Sequence, residues 1–190
     1  MSLIPAFEIG VWNAWLFMSS FWLQWLAVSL AGKRVSQRTA HPPDMKRSQS
    51  DRRAGRAAMI TWLSATIYSI FLPLQPGTIW FYVGLGVFLS GLIILIIATL
   101  NFARASLDKP ITRGLYRFSR HPMYLSMLFI YTGTSLASAS WLFFLLTIAT
   151  VALIRPEMAL EERYCLEKYG DAYREYVNKT PRWIGVPKSG

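Results

Sequence analysis

The chain has 190 residues, of which 53% are hydrophobic, 15% aromatic and only 16% charged, yet it carries a formal charge of +10 from 20 Lys+Arg against 10 Asp+Glu. It is too apolar for a basic disordered tail and too poor in charge for a soluble nucleic-acid binder. Its single cysteine, Cys165, excludes a disulfide scaffold.

In chain order, positions 9–32 carry no Asp, Glu, Lys or Arg, and one span is predicted over about 9–31. No basic residue precedes this run, and it is longer than the core of a secretory signal, so it reads as a span and not a leader. Trp12, Trp15, Trp22 and Trp25 suit an interfacial belt. A polar, basic connector follows over 32–57. From Ala57 to Ala103 there is again no charge, and Pro73, Gln75, Pro76 and Gly77 split this stretch into spans at 58–74 and 78–101. Gly84, Gly86 and Gly91 in the latter read as small residues for helix packing. A second basic loop covers 102–120. The uncharged stretch from His121 to Ile154 reads as a hairpin, 121–137 and 140–155, turning at the serines near Ala137–Ser140. Residues 156–190 read as a cytoplasmic amphipathic helix and tail, with Tyr169, Tyr173 and Tyr176 on one face against the membrane.

The fold class is therefore an all-α integral membrane protein, a single membrane domain with about five transmembrane helices plus a C-terminal amphipathic cytoplasmic helix. With five spans, all 20 basic residues fall on one face, in 33–56, 104–120 and 155–188. The positive-inside rule makes that face cytoplasmic and puts the N-terminus outside and the C-terminus inside. The membrane would be a bacterial inner membrane, or the endoplasmic reticulum in a eukaryote. The charge then reads as topology and attraction to anionic lipid headgroups, with no nucleic acid as partner.

The residues that carry chemistry lie where spans meet cytoplasm. Pro122 suits the first turn of a helix, which puts Arg120 and His121 at its N-terminal edge, beside free backbone N–H groups able to receive an anion. A snorkelling Arg and a capping His explain the same residues without a ligand. Glu157, Glu161 and Glu162 crowd the membrane edge of the last helix, although like charges four apart are mildly unfavourable there. Acids at an apolar mouth suit a cationic ligand group. No metal-ligand spacing, Gly-rich phosphate loop or Ser/His/Asp arrangement is present.

The ordered set Gly114-x-Tyr116-x-x-x-Arg120-His121-Pro122-x-Tyr124, some 35 apolar residues, Glu161-Glu162, Tyr169-Gly170-x-x-Tyr173-x-x-Tyr176 and Thr180-Pro181-Arg182-x-Ile184-x-x-Pro187 resembles the integral-membrane methyltransferases typified by isoprenylcysteine carboxyl methyltransferase and the phospholipid N-methyltransferases. The resemblance covers residues 98–187. It implies S-adenosylmethionine as methyl donor, bound at the cytoplasmic ends of the last spans, and a lipophilic methyl acceptor entering from the bilayer: an isoprenylcysteine carboxylate, a phospholipid amine or a similar molecule. It implies cofactor contacts from Tyr116, Arg120, His121, Pro122, Met123, Tyr124, Glu161 and Glu162, with the loop 108–111 placed for more.

Two positions depart from that pattern. Glu157 stands where the isoprenylcysteine enzymes carry a substrate-binding Arg, and Arg155 is the nearest arginine; these two are the catalytic candidates. A Glu there suits an amine acceptor better than a carboxylate. Leu115 sits where the motif often has Pro. Cys165-x-x-Lys168-Tyr169-Gly170 also resembles the tail of NADPH-dependent membrane sterol and enone reductases, and a non-catalytic membrane component of the same fold is the third reading.

Overall fold

The computed structural model describes residues 7–30, 47–106 and 108–186. The predicted connector from 32 to 46, with Lys33, Arg34, Arg38, His41 and Lys46, lies outside them, as does the end of the tail from Pro187. Among the described residues there are six α-helices and no strand: α1 (Trp15–Leu30), α2 (Gln49–Ile70), α3 (Ile79–Arg104), α4 (Pro122–Ala137), α5 (Trp141–Tyr169) and α6 (Asp171–Lys179). A short 3-10 helix, Gly114–Arg117, precedes α4.

Several boundaries differ from the sequence expectation, each for a local reason. The first span was expected from residue 9, but α1 begins at Trp15. The residues before it run antiparallel to the α2–α3 loop: the Ala14 N–H donates to the Leu72 carbonyl at 2.8 Å and the Leu74 N–H to the Trp12 carbonyl at 3.0 Å. Buried Asn13 closes this corner by donating its amide to the carbonyls of Glu8 and Ile70. α2 starts at Gln49, inside the expected connector, because Ser48 and Asp51 form a capping box. α5 does not stop near 155. It runs through Pro156 to Tyr169, giving up one backbone hydrogen bond at that proline.

Five spans were expected; among the described residues two helices, α3 and α5, are long and apolar enough to cross a membrane by length and composition. α1 and α4 have 16 residues each, and α2 begins with a charged turn. The predicted Tyr stripe is broken at Gly170, whose φ of +56° ends α5 and re-aims the chain into α6. Tyr173 and Tyr176 are then buried against the protein.

The most extensive helix pair is α3 with α4. A Cβ on Gly133 would lie 2.5 Å from the Phe88 nitrogen, and one on Gly91 2.8 Å from the Ile130 nitrogen. Gly84 likewise meets the α4 backbone at Ala137 and Gly133, whereas Gly86 faces open space. Small residues let the two backbones touch. Phe17 stacks on Phe88 at 4.1 Å, and Tyr131 and Phe143 fill the middle of the bundle. The helices alternate in direction, so the α4–α5 turn and the α2–α3 loop share one end, joined by the Gln75 N–H to the Ala137 carbonyl. The start of α2, the end of α3, the start of α4 and the charged part of α5 share the other.

Candidate active site

At that second end the sequence candidates converge on α5. His121 is the N-cap of α4 and Pro122 its first residue, both buried. The His121 ring, with 6% of its side chain exposed, lies between two acids: Nε2 is 3.0 Å from Glu162 Oε1 and Nδ1 is 3.5 Å from Glu161 Oε2. The Tyr124 hydroxyl, at the next inward position of α4, donates to Glu161 Oε1 at 2.7 Å.

The adjacent acids play different parts. Glu162 is fully engaged: Arg182 donates to both of its oxygens, and Arg120 Nη1 lies 3.1 Å from Oε1. Burial works against its charge, but the His121 and Arg182 hydrogen bonds and the Arg120 charge prevail and hold the carboxyl at about 2. For His121, burial disfavours the cation, and the hydrogen bonds and charges of Glu161 and Glu162 outweigh it, so its pKa is raised. Both groups lie on the charged side of Arg155, outside the apolar part of the helices. Glu161 keeps 30% of its side chain exposed, against 13% for Glu162. It is the acid that an incoming cation can reach.

The wall of the site is a strap of two loops. The Arg120 N–H donates to the Pro181 carbonyl, the Gly185 N–H to the Phe118 carbonyl, and the Ser119 hydroxyl to the Arg182 carbonyl. Tyr116 is buried on the 3-10 helix, and its carbonyl accepts from the Tyr176 hydroxyl at 2.7 Å. Burial pushes both phenols far above their ordinary range, so they stay neutral. Gly114, at φ +62°, packs on the Asn101 amide, and a Cβ would clash with it. Met123 is half-buried beside Tyr124.

Glu157 sits one turn toward the membrane from Glu161 and is ion-paired with Arg47, whose Nη2 donates to Oε2 at 3.1 Å. Arg155, the other catalytic candidate, is exposed and lies about 200° around α5 from Glu157. The helix passes through Pro156 without turning Arg155 inward. In the loop 108–111, Asp108 and Lys109 are exposed and Pro110 and Ile111 half-buried, with Asp108 turned onto Ser106.

Sequence reasoning missed two residues. Arg182 stood within the closing motif, which signalled it. Arg47 lies 110 residues from its partner, and no local pattern points to it.

The residues present suit a zwitterionic, sulfonium-bearing ligand such as S-adenosylmethionine. Glu161 is the accessible acid. Arg120 Nε is a buried donor with no partner among the described residues. The first-turn amides of α4 add donors for an anionic group.

Comparison with known proteins points to methyltransferases. The chain is 37% identical over 70 residues to methanethiol S-methyltransferase 1 of Bradyrhizobium diazoefficiens, a match covering 37% of this chain and 24% of that protein. The chain thus spans about a quarter of that relative's length. It is 38% identical over 68 residues to an uncharacterised protein of Haemophilus influenzae, covering 33% of this chain and all of that one. The phospholipid methyltransferase family matches residues 76–172, just over half of the chain and the stretch that holds Tyr116, His121, Tyr124, Glu161 and Glu162. The chain belongs to the phospholipid methyltransferase family.

Proposed function

We propose that this protein is an integral-membrane methyltransferase that moves a methyl group from S-adenosylmethionine to a lipophilic acceptor, at the cytoplasmic face of a five-span bundle. The observation that carries the reading is the division of labour between the paired acids. Glu162 is saturated by His121, Arg120 and Arg182, while Glu161 is held by Tyr124 and remains accessible.

When bound, S-adenosylmethionine supplies an activated methyl group on a sulfonium. Glu161 holds the cationic end of the donor, with Tyr124 fixing the carboxylate. Arg120 and the α4 amides receive its carboxylate, and buried Tyr116 walls the site. His121 and Glu162 position Glu161 and the strap. Methyl transfer needs positioning and exclusion of water more than acid–base groups, so an apolar mouth suffices. The relative named for methanethiol supports a small or apolar acceptor.

The five-span reading rests on the charge pattern and on α3 and α5. α1, α2 and α4 complete the crossings by packing against those two, with the basic loops inside and attracted to anionic headgroups.

The full chain in detergent is predicted to bind S-adenosylmethionine by calorimetry. Glu161→Gln should weaken that binding by roughly 10–100-fold, the worth of one charge-assisted hydrogen bond. Wild-type affinity in Glu161→Gln would contradict the assignment.

A further inference from the structure

The Arg47–Glu157 ion pair borders the donor site and supplies none of the contacts that hold Glu161 and Glu162. Arg47 lies just before the capped start of α2, and Glu157 is on α5, one turn toward the membrane from Glu161, about 6 Å along the axis. A lipophilic acceptor comes from that side. The pair is asymmetric. Glu157 keeps only 11% of its side chain exposed and is fixed in a packed helix, whereas Arg47 keeps 27% and hangs from the end of an element. Gly55 makes room for the contact: a Cβ there would lie 2.5 Å from Glu157 Oε1 and 3.5 Å from Arg47 Nη1. Glu157 is one helical turn from Glu161, the acid that the Tyr124 hydroxyl holds.

We propose that Arg47 is a displaceable plug on Glu157, occupying at rest the place that the cationic head group of the acceptor takes during turnover. This rests on the methyltransferase reading for its context. The two partners differ in which of them can leave. An anionic head group taking Arg47 would strand a buried carboxylate, which is costly. A cationic head group taking Glu157 releases Arg47 to water, where a guanidinium is well solvated and needs no partner. The site thus selects a cation on an apolar tail, and Arg47 weakens its binding by competition. A second ion pair, Arg163 Nη2 to Asp51 Oδ2 at 3.0 Å, ties α2 to α5 independently of the plug.

The test is direct binding to the full chain in detergent, with octylammonium and octanoate as probes of equal tail length, below their micellar concentrations. S-adenosylmethionine binding is measured in parallel. Wild type should prefer octylammonium. Arg47→Gln should tighten octylammonium by about tenfold, as expected if the open site is a tenth populated, with S-adenosylmethionine affinity unchanged. Glu157→Gln should abolish the preference for the cation. Asp51→Asn should lower thermal stability and leave the preference intact. If Arg47→Gln does not fold, Arg47→Lys keeps a charge but loses the fork and should tighten octylammonium by a smaller factor. A purely structural ion pair would only lose affinity when broken. Unchanged or weaker octylammonium binding in the Arg47 variant, or an octanoate preference in wild type, would overturn the proposal. Loss of S-adenosylmethionine binding with the octylammonium pattern intact would instead remove the donor assignment.

Discussion

Each of Glu161, Glu162 and Glu157 has its own partners, and those partners decide what it can do. That His121 and the Glu161–Glu162 pair would form one cluster was legible because each group is compact in sequence, one at a helix start and the other where an apolar stretch turns charged, and the structure brings the two together. Which acid is buried under cations was not legible, since that depends on Arg182 folding back over Arg120. Nor was the neutralisation of Glu157, whose partner is 110 residues away. The clamp has a pH signature. Glu162 is lowered from 4.5 to about 2, so its stabilisation is present above 4.5 and is lost as pH falls toward 2. His121 is raised from 6.5, so its stabilisation is complete below 6.5 and is lost as pH rises through its raised value. Thermal stability in detergent should therefore be highest between these limits. Glu162→Gln should cost about 3 kcal/mol there, because it strands Arg182 and Arg120, and should remove the acid-side loss. A Glu162→Gln protein with the wild-type pH profile would contradict this.

At the level of the helices, residue type alone gave the wrong weight to some positions. Gly84, Gly86 and Gly91 look equivalent in sequence, yet two meet the α4 backbone and one faces outward. Helical spacing distinguishes them only once the partner helix is known. Gly133→Val should destabilise the bundle by about 3 kcal/mol through forced separation of α3 and α4. Gly86→Ala should stabilise it by about 0.5–1 kcal/mol through helix propensity. Denaturation of both variants by one method checks the pair, and equal losses would refute the packing. The continuation of α5 past Pro156 was also invisible to a rule that ends helices at prolines, because the neighbours on both sides keep helical backbone.

The pattern of the whole molecule was the most legible from charge. The 20 basic residues fall in three stretches, which led to the expectation of a bundle with one charged end; among the described residues the helix directions bring Glu157, Glu161, Glu162 and His121 to one end. The far end, stitched by Asn13 and the Gln75–Ala137 contact, carries no such signal because its hydrogen bonds are mostly backbone. In a Cys165→Ser background, an impermeant thiol reagent added to intact cells should label Pro76→Cys and leave Glu175→Cys unlabelled until the cells are opened. The reverse pattern would invert the topology.

The central claim is that Glu161 serves a methyl-donor site facing a lipid-soluble acceptor. It is tested most directly by incubating the purified full chain with methyl-labelled S-adenosylmethionine and a lipid extract, then following label into the organic phase. Wild type should transfer label into an apolar product, and Glu161→Gln should reduce the rate by roughly tenfold or more. No label in any lipid or small apolar product, or equal rates for the two proteins, would contradict it.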